Sequence, residues 1–311
     1  MQQRKFRHYF IVILKGIAMG AADVVPGVSG GTIAFISGIY EELLASISSI
    51  NLGTLKLLKT KGIKTTWNAI NGNFLASLLT GIFISIISLA KLISWLLEHK
   101  PILVWSFFFG LVLASILYVG KQITKWNSVA IVSLLLGAGI AFYITTLQPL
   151  ISENSSPLFL FLAGALAICA MILPGISGAF ILVLLGAYKP VLEAIHTRDF
   201  KLLIIIAFGA IVGLLSFSKV LKWLFGHYKN YTLALLTGFI LGSLNKIWPW
   251  KETLTWRINS HGIKVPFNQQ SILPFSFEGD SQILPAIILV IIGFLTIILL
   301  EKIADNNSNS I

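Results

Sequence analysis

Long apolar stretches, separated by short polar segments, run through almost the whole chain. A helix that crosses a membrane needs about 20 predominantly apolar residues, and most of these stretches approach that length. The pattern predicts an all-α polytopic membrane protein in which residues 1–311 form a single membrane domain. The apolar stretches lie at residues 9–22, 31–50, 74–97, 102–120, 127–147, 158–173, 179–195, 202–225, 231–248 and 284–303.

The two shortest stretches are each followed by a Pro-Gly-x-Ser-Gly sequence. Residues 26–44 and 174–192, which contain these sequences, share eight identities in nineteen positions. Proline and glycine interrupt a helix, and interrupted backbone is tolerated inside a bilayer only where protein or a wet cavity covers it. We therefore predict two re-entrant helical hairpins, broken at 26–31 and at 174–178.

The similarity between the two halves continues beyond these breaks. Residues 74–116 align with residues 202–244 without a gap and with ten identities in 43 positions. Each half then contains one broken hairpin and three further helices, and an odd number of crossings inverts the second half relative to the first. The sequence thus predicts two inverted-topology repeats, a plan shared by many transporters. We place repeat 1 at 9–147, repeat 2 at 158–303 and a disordered tail at 304–311.

Composition and charge agree with a location in the lipid bilayer. Hydrophobic residues make up 56% of the chain and charged residues only 11%, whereas soluble domains carry about 25% charged residues. Lysine and arginine concentrate in the N-terminal segment and around 56–64, 121–125 and 222–229, which predicts cytoplasmic N- and C-termini. The net charge of +11 then reflects cytoplasmic segments and indicates no nucleic-acid partner. The loop 246–282 is expected to lie at the outer interface.

The two breaks carry the residues best suited to hold an anion. Glycines let the backbone approach a ligand closely, the following helix presents unpaired N–H groups, and hydroxyls add further donors. This pattern favours a phosphate group, although small residues also allow helices simply to pack closely. The candidate phosphate-binding residues are Pro26, Gly27, Ser29, Gly30, Gly31 and Thr32 in the first break, and Pro174, Gly175, Ser177 and Gly178 in the second.

Four charged residues are candidates for coupling or for steering charge. Asp23 precedes the first break within apolar sequence, so it is either a proton or ion site or a structural partner of the break. Glu41, which follows Tyr40, is either a charge partner or part of a solvated helix end. Lys91 and Lys219 both precede a tryptophan by four residues; they either steer a lipid phosphate or reach the interface beside that ring. Tyr40 itself is expected to be an interfacial anchor.

The sequences VVPGVSGGTIAFISGIYEELL and ILPGISGAFILVLLGAY resemble those of the bacterial polyprenyl-phosphate translocase family of the PopT type. The resemblance covers essentially the whole chain. It implies a lipid flippase in the bacterial cell membrane that returns undecaprenyl phosphate from the outer to the cytoplasmic leaflet for reuse in cell-wall synthesis. The breaks would hold the phosphate while alternating access moves it, and the resemblance assigns no role to Asp23, Lys91 or Lys219.

Two other functions are compatible with the sequence. Integral-membrane undecaprenyl-diphosphate phosphatases carry a similar motif, but Gly30 stands where their arginine is, and no paired acids or metal ligands support hydrolysis. Cys169 is the only cysteine, and no cofactor or metal is expected. A small-anion transporter or channel fits broken helices equally well. We therefore expect a transporter without enzymatic activity.

Overall fold

The computed structural model describes residues 6–25, 28–148, 156–258 and 264–308. These residues form twelve α-helices and one antiparallel pair of strands, β1 (Lys251–Ile258) and β2 (Lys264–Ser271). The helices are α1 (Phe6–Val24), α2 (Gly30–Ile36), α3 (Tyr40–Ser48), α4 (Leu52–Ala69), α5 (Gly72–His99), α6 (Pro101–Lys121), α7 (Ser128–Thr146), α8 (Pro157–Ile172), α9 (Gly178–Leu184), α10 (Tyr188–His196), α11 (Phe200–Ser243) and α12 (Ile283–Ser308).

Several helices are long and apolar enough to cross a bilayer. Within the described residues, α5, α6, α7 and α11 meet this criterion, and the pair α9 and α10, bent by 106°, adds a fifth candidate. Many large apolar side chains on these helices are exposed, as expected where lipid is the solvent. The mostly helical fold is therefore that of a polytopic membrane protein, as the sequence predicted.

Each broken hairpin contains a second interruption that the sequence analysis missed. The stretches expected as single helices at 31–50 and 179–195 are each divided, at Gly38 and at Gly186. Both glycines have φ of +72°, a left-handed conformation that costs glycine little and most other residues more. The two hairpins thus follow the same path, with a short helix between two breaks in each.

Three segments differ in other ways from what the pattern indicated. A helix, α4, occupies the polar segment after the first hairpin; its backbone is kinked at Gly62, where φ is +77°, and no residue of it is buried. The loop 246–282, to which the sequence analysis assigned no secondary structure, contains the β1–β2 hairpin. The last helix runs to Ser308 and so includes residues 304–308 of the expected tail, while residues 309–311 lie outside the described residues.

Aligned glycines occupy equivalent helix contacts in the two halves. A Cβ atom on Gly81 would clash with the carbonyl oxygen of Ile13 where α5 crosses α1, and one on Gly209 would clash with that of Phe161 where α11 crosses α8. A Cβ atom on Gly110 of α6 would likewise clash with a backbone carbonyl of α12, and one on the aligned glycine of α11 would clash with a backbone carbonyl of α7. Only residues without side chains permit such approaches, which bring helix backbones into direct contact.

The long helix α11 consists of two parts. The backbone of Tyr228 leaves the helical conformation, with φ of −134° and ψ of 43°, so that residues 200–227 and 229–243 are separate helical segments. The first part packs on α8 and the second on α7. These parts correspond to the two apolar stretches expected at 202–225 and 231–248.

Contacts between distant segments define the two ends of the helical bundle. At the end that we call the α3 end, Glu41 pairs with Lys229 at 2.7 Å, and the backbone N–H of Thr124 donates to Asn230 at 3.0 Å. The opposite end carries the β1–β2 hairpin, and we call it the hairpin end. There Trp250 lies in a buried cluster with Ile102 and Ala286. Helix α6 connects the two ends, because Ile102 belongs to its first turn and its last residue lies three positions before Thr124.

Candidate functional site

The two breaks are in direct contact through hydrogen bonds. The hydroxyl of Ser29 donates to the carbonyl oxygens of Leu173 (3.2 Å) and Met171 (3.3 Å), and the hydroxyl of Tyr40 donates to that of Ile172 (3.1 Å). The last carbonyls of a helix have no partner within it, and here the end of α8 is satisfied by side chains of the other half. The first break therefore caps the helix that leads into the second.

A further hydrogen bond runs between the breaks in the opposite direction. The backbone N–H of Gly175 donates to the hydroxyl oxygen of Thr32 at 2.9 Å. Ser29 and Thr32 are each only 1% exposed, so these bonds form away from solvent. The site thus brings together candidate residues that lie more than 140 positions apart in the sequence.

Two N–H groups of the first break, those of Gly30 and Gly31, are already occupied by the chain itself. Asp23 accepts from the backbone N–H of Gly30 at 2.7 Å, and the hydroxyl oxygen of Ser29 accepts from the N–H of Gly31 at 3.1 Å. A carboxylate near the start of a helix is electrostatically favourable. Asp23 therefore occupies the position at which the sequence analysis expected a bound anion.

The second break has fewer of its polar groups occupied by hydrogen bonds than the first. Met171 stands where Asp23 is in the first half, so this break has no equivalent carboxylate. Ser177 is buried, and its hydroxyl makes no hydrogen bond within the described part of the chain. Gly175 has φ of +89° and lies against Ser243 of α11, where an added Cβ atom would approach the hydroxyl oxygen to 2.9 Å.

Two lysines beside the second break were missed by the sequence analysis. The ammonium of Lys246 lies 4.1 Å from the ring centre of Phe180, the third residue of α9. The ammonium of Lys251 lies 4.0 Å from the ring centre of Trp105 and donates to the carbonyl of Lys246 at 2.5 Å. Burial, and then the charge of Lys246, hold the pKa of Lys251 well below its usual value. These residues place two amino groups at the hairpin end of the site, and a bound anion would favour their charged forms.

A sequence signal for these lysines was available but ambiguous. They flank the segment Ile-Trp-Pro-Trp in a loop, and a lysine near tryptophan is common at any membrane interface. No carboxylate among the described residues forms an ion pair with either lysine, and charged groups are seldom buried without a partner. An anionic ligand would supply that partner.

The remaining candidates lie elsewhere or outside the described residues. Pro26 and Gly27 belong to the undescribed positions, so their place in the site stays a prediction. Glu41 is half-exposed at the α3 end with Lys229, and Lys91 and Lys219 are exposed on α5 and α11. Tyr40, expected as an interfacial anchor, is instead buried with 3% exposure because its hydroxyl caps α8.

Comparison with known proteins identifies the family. The model of the VCA0040-like family, described as undecaprenyl phosphate translocase-like, matches residues 19–265, most of the chain and both breaks. The chain belongs to this family. The resemblance seen in the sequence is thereby confirmed.

Members of this translocase-like family with curated names are similar over most of the length. A polyprenyl-phosphate transporter of Vibrio cholerae serotype O1 is 51% identical over 305 residues, covering 97% of this chain and 99% of that protein. A polyprenyl-phosphate transporter of Staphylococcus aureus is 34% identical over 266 residues, covering 80% of this chain and 88% of that protein. No solved structure matches this chain.

Proposed function

We propose that this protein is a flippase for undecaprenyl phosphate, which it returns from the outer to the cytoplasmic leaflet of the bacterial membrane for envelope synthesis. Support for the substrate class comes from the two relatives, both named as polyprenyl-phosphate transporters and both aligned over most of their length. A phosphate head group needs a polar path through the bilayer core, whereas the prenyl tail can remain in lipid.

The contact between the two breaks is the observation that carries this proposal. It gathers hydroxyl and backbone donors from both halves at Ser29, Thr32 and Gly175 inside an otherwise apolar bundle. In the described conformation these groups bind one another, so a phosphate must exchange their mutual bonds for bonds to its own oxygens. Each such bond contributes about 1 kcal/mol net, so the exchange is readily reversible.

We assign the phosphate to the candidate residues of both breaks, with Lys246 and Lys251 as an additional source of positive charge. The second break has Ser177 without a hydrogen-bond partner in the described part of the chain and Lys246 beside it. We therefore expect the hairpin end to be the side that first receives the phosphate. On the first break the phosphate would displace Asp23 from the N–H of Gly30. That displacement gives Asp23 a route to proton or ion coupling.

Alternating access through inverted repeats is the mechanism that we propose. Helix α5 runs from the α3 end, where Asn71 donates to Glu42, to the hairpin end. The aligned first part of α11 runs the other way, because it finishes beside Lys229 at the α3 end. Rocking of one half against the other would open the contact between the breaks toward each leaflet in turn.

A reconstituted system tests this function directly. Purified protein in liposomes should move undecaprenyl phosphate between leaflets and release no phosphate from undecaprenyl diphosphate. Ser29→Ala and Ser177→Ala should slow this movement. The activation free energy should rise by about 1–3 kcal/mol for each missing hydrogen bond between the protein and the phosphate. Ser106→Ala is a matched control, because that buried hydroxyl bonds only the carbonyl one turn earlier in its own helix.

Each other outcome points to a different function. Hydrolysis of the diphosphate would support the phosphatase-like alternative, and movement of chloride or inorganic phosphate alone would support the small-anion transporter. Full transport by the Ser29→Ala, Ser177→Ala double variant would contradict the assignment of the phosphate to the breaks. Any dependence on an imposed proton gradient should disappear in Asp23→Asn if that carboxylate is the coupling group.

A further inference from the structure

The two halves carry the same three side chains on equivalent helices. Lys91, Trp95 and His99 follow one another at intervals of four residues on α5; we call them the first stripe. The second stripe consists of Lys219, Trp223 and His227 on α11, at the aligned positions. Residues four apart lie on one face of a helix, so each stripe forms a continuous surface.

The geometry within the stripes is also repeated. The ring of His99 stacks on Trp95 with centroids 4.6 Å apart, and the ring of His227 lies 5.0 Å from Trp223. In both, Nδ1 of the histidine approaches the carbonyl oxygen of the same tryptophan, at 2.9 Å and 3.0 Å. A carbonyl oxygen only accepts, so Nδ1 carries the hydrogen and Nε2 is left to accept or, once protonated, to donate.

The two stripes lie toward opposite ends of the bundle and face outward. His99 directly precedes the turn into α6 at the hairpin end, and His227 precedes Lys229 at the α3 end. Trp95 and Trp223 are both 52% exposed, and all six side chains of the stripes are exposed. Snorkelling accounts for a lysine beside a tryptophan, but it does not require the stacked and oriented histidine.

A surface groove lies along the second stripe. It is open, has a volume of about 430 Å³, and is lined by Lys219, Lys222, Trp223, Gly226, His227 and Ser48. Its lining contains two ammonium groups and an imidazole but no carboxylate. Neither Lys219 nor Lys222 forms an ion pair with another of the described residues. The groove therefore complements a negatively charged group that comes from the adjoining lipid leaflet.

We propose that the two stripes are docking sites for the phosphomonoester head group of polyprenyl phosphate, one for each leaflet, before it enters the contact between the breaks. This inference rests on the proposed function. A phosphomonoester carries about −1.5 to −2 charges at pH 7, whereas a phospholipid diester carries one. Lysine supplies charge-assisted donors, the histidine ring adds a polar contact through Nε2, and the tryptophan face supports the first apolar units of the tail.

A test with one leaflet loaded at a time separates the two stripes. The protein is inserted into vesicles in a single orientation, and a short-chain fluorescent polyprenyl phosphate is added to the outer leaflet. With the α3 end outward, Lys219→Gln/His227→Gln should raise the half-saturating lipid fraction about tenfold, equivalent to about 1.4 kcal/mol, without changing the maximal rate. With the hairpin end outward, Lys91→Gln/His99→Gln should have this effect instead.

The control is Lys125→Gln, since this exposed lysine lies beside Trp126 at the α3 end without a histidine in the same arrangement. Stripe variants that behave like this control, or act equally in both orientations, would overturn the inference while leaving the proposed function standing. Phosphatidic acid, a monoester, should compete better than phosphatidylglycerol; equal competition would also overturn it. Failure of the wild-type protein to move the lipid would overturn both.

Discussion

At the scale of single residues, two substitutions make the similar breaks chemically different. Asp23 occupies the N–H of Gly30 in the first break, whereas the second half has Met171 at that position. Thr32 accepts a hydrogen bond from Gly175, whereas its counterpart Phe180 lies against the ammonium of Lys246. One break is thus neutralised by its own carboxylate, and the other has cations beside it.

Replacement of Lys251 tests whether the cations beside the second break bind the ligand. Loss of a structural lysine would lower stability, whereas loss of a ligand-binding lysine would slow transport. Burial disfavours its charged form, so Lys251→Met should raise the free energy of unfolding by on the order of 1 kcal/mol. The same variant should transport undecaprenyl phosphate more slowly. Thermal unfolding in detergent and the liposome assay measure the two effects.

The pH dependence of stability gives a second readout for Lys251. Its pKa in the folded protein is lowered, so between that value and about 10.5 the unfolded chain binds more protons and stability rises with pH. Lys251→Met should flatten this rise, whereas Lys125→Met, at an exposed position, should not. A variant that is less stable than wild type would show that Lys251 mainly supports the loop through Trp105.

At the scale of secondary-structure elements, the sequence predicted what depends on long apolar runs and missed what does not. The spans and both Pro-Gly breaks were visible because proline and apolar length act locally. The second interruptions at Gly38 and Gly186 were missed, since one glycine in apolar sequence also suits close helix packing. Helix α4 was missed because its apolar residues alternate with lysines over a short segment.

The same limit applies to the candidate site. Ser29, Thr32 and Gly175 were found because their motif is repeated, and the structure brings them together. The capping role of Tyr40 depends on α8 ending beside it, a contact across 132 positions that no local pattern contains. Lys246 acquires significance only because its loop folds back over Phe180.

Helix α4 is expected to lie on an anionic membrane surface. It contains four lysines, none of its residues is buried, and Leu52 and Leu55, which precede the kink at Gly62, are 83% and 57% exposed. Basic amphipathic helices insert their apolar face about 5–10 Å into the head-group region. A nitroxide at Leu55→Cys should therefore be accessible to oxygen, and one at Thr60→Cys, on the opposite side of the helix, to a water-soluble nickel complex.

Both labels for α4 require a Cys169→Ala background, which leaves one thiol in the chain. Replacing the lysines at 56, 59, 61 and 64 by glutamine should reduce the oxygen accessibility of the label at position 55 in vesicles that contain anionic lipid. Equal accessibility of both labels to the nickel complex would show that α4 stands free in water.

At the scale of the whole molecule, the two halves are joined by the close helix contacts of α6 with α12 and of α7 with α11, and at both ends by small polar contacts. Glu41 and Lys229 form an ion pair at the α3 end, and Asn245 donates to Thr145 at 2.8 Å near the hairpin end. Exposed ion pairs contribute at most about 1 kcal/mol, so such contacts are easily broken. We therefore expect the ends to separate in turn, with the halves pivoting about the contacts of α6 with α12 and of α7 with α11.

Cross-linking the α3 end tests whether the halves must separate. Glu41→Cys/Lys229→Cys in the Cys169→Ala background should transport normally when reduced, because the ion pair contributes little. Joining the two thiols with a short bifunctional reagent should hold this end closed and stop net transport, and a reductant should restore it when the linker is cleavable. Transport is followed in liposomes before linking, after linking and after reduction.

A cross-link within one half separates movement between the halves from damage to the protein. Ser46 and Asn71 both belong to the first half, and their side chains are 3.3 Å apart in a hydrogen bond between α3 and the start of α5. Joining Ser46→Cys to Asn71→Cys should leave transport unchanged, since both positions would move together. Continued transport with positions 41 and 229 joined would instead place the moving element inside one half, with the broken hairpins as the candidates.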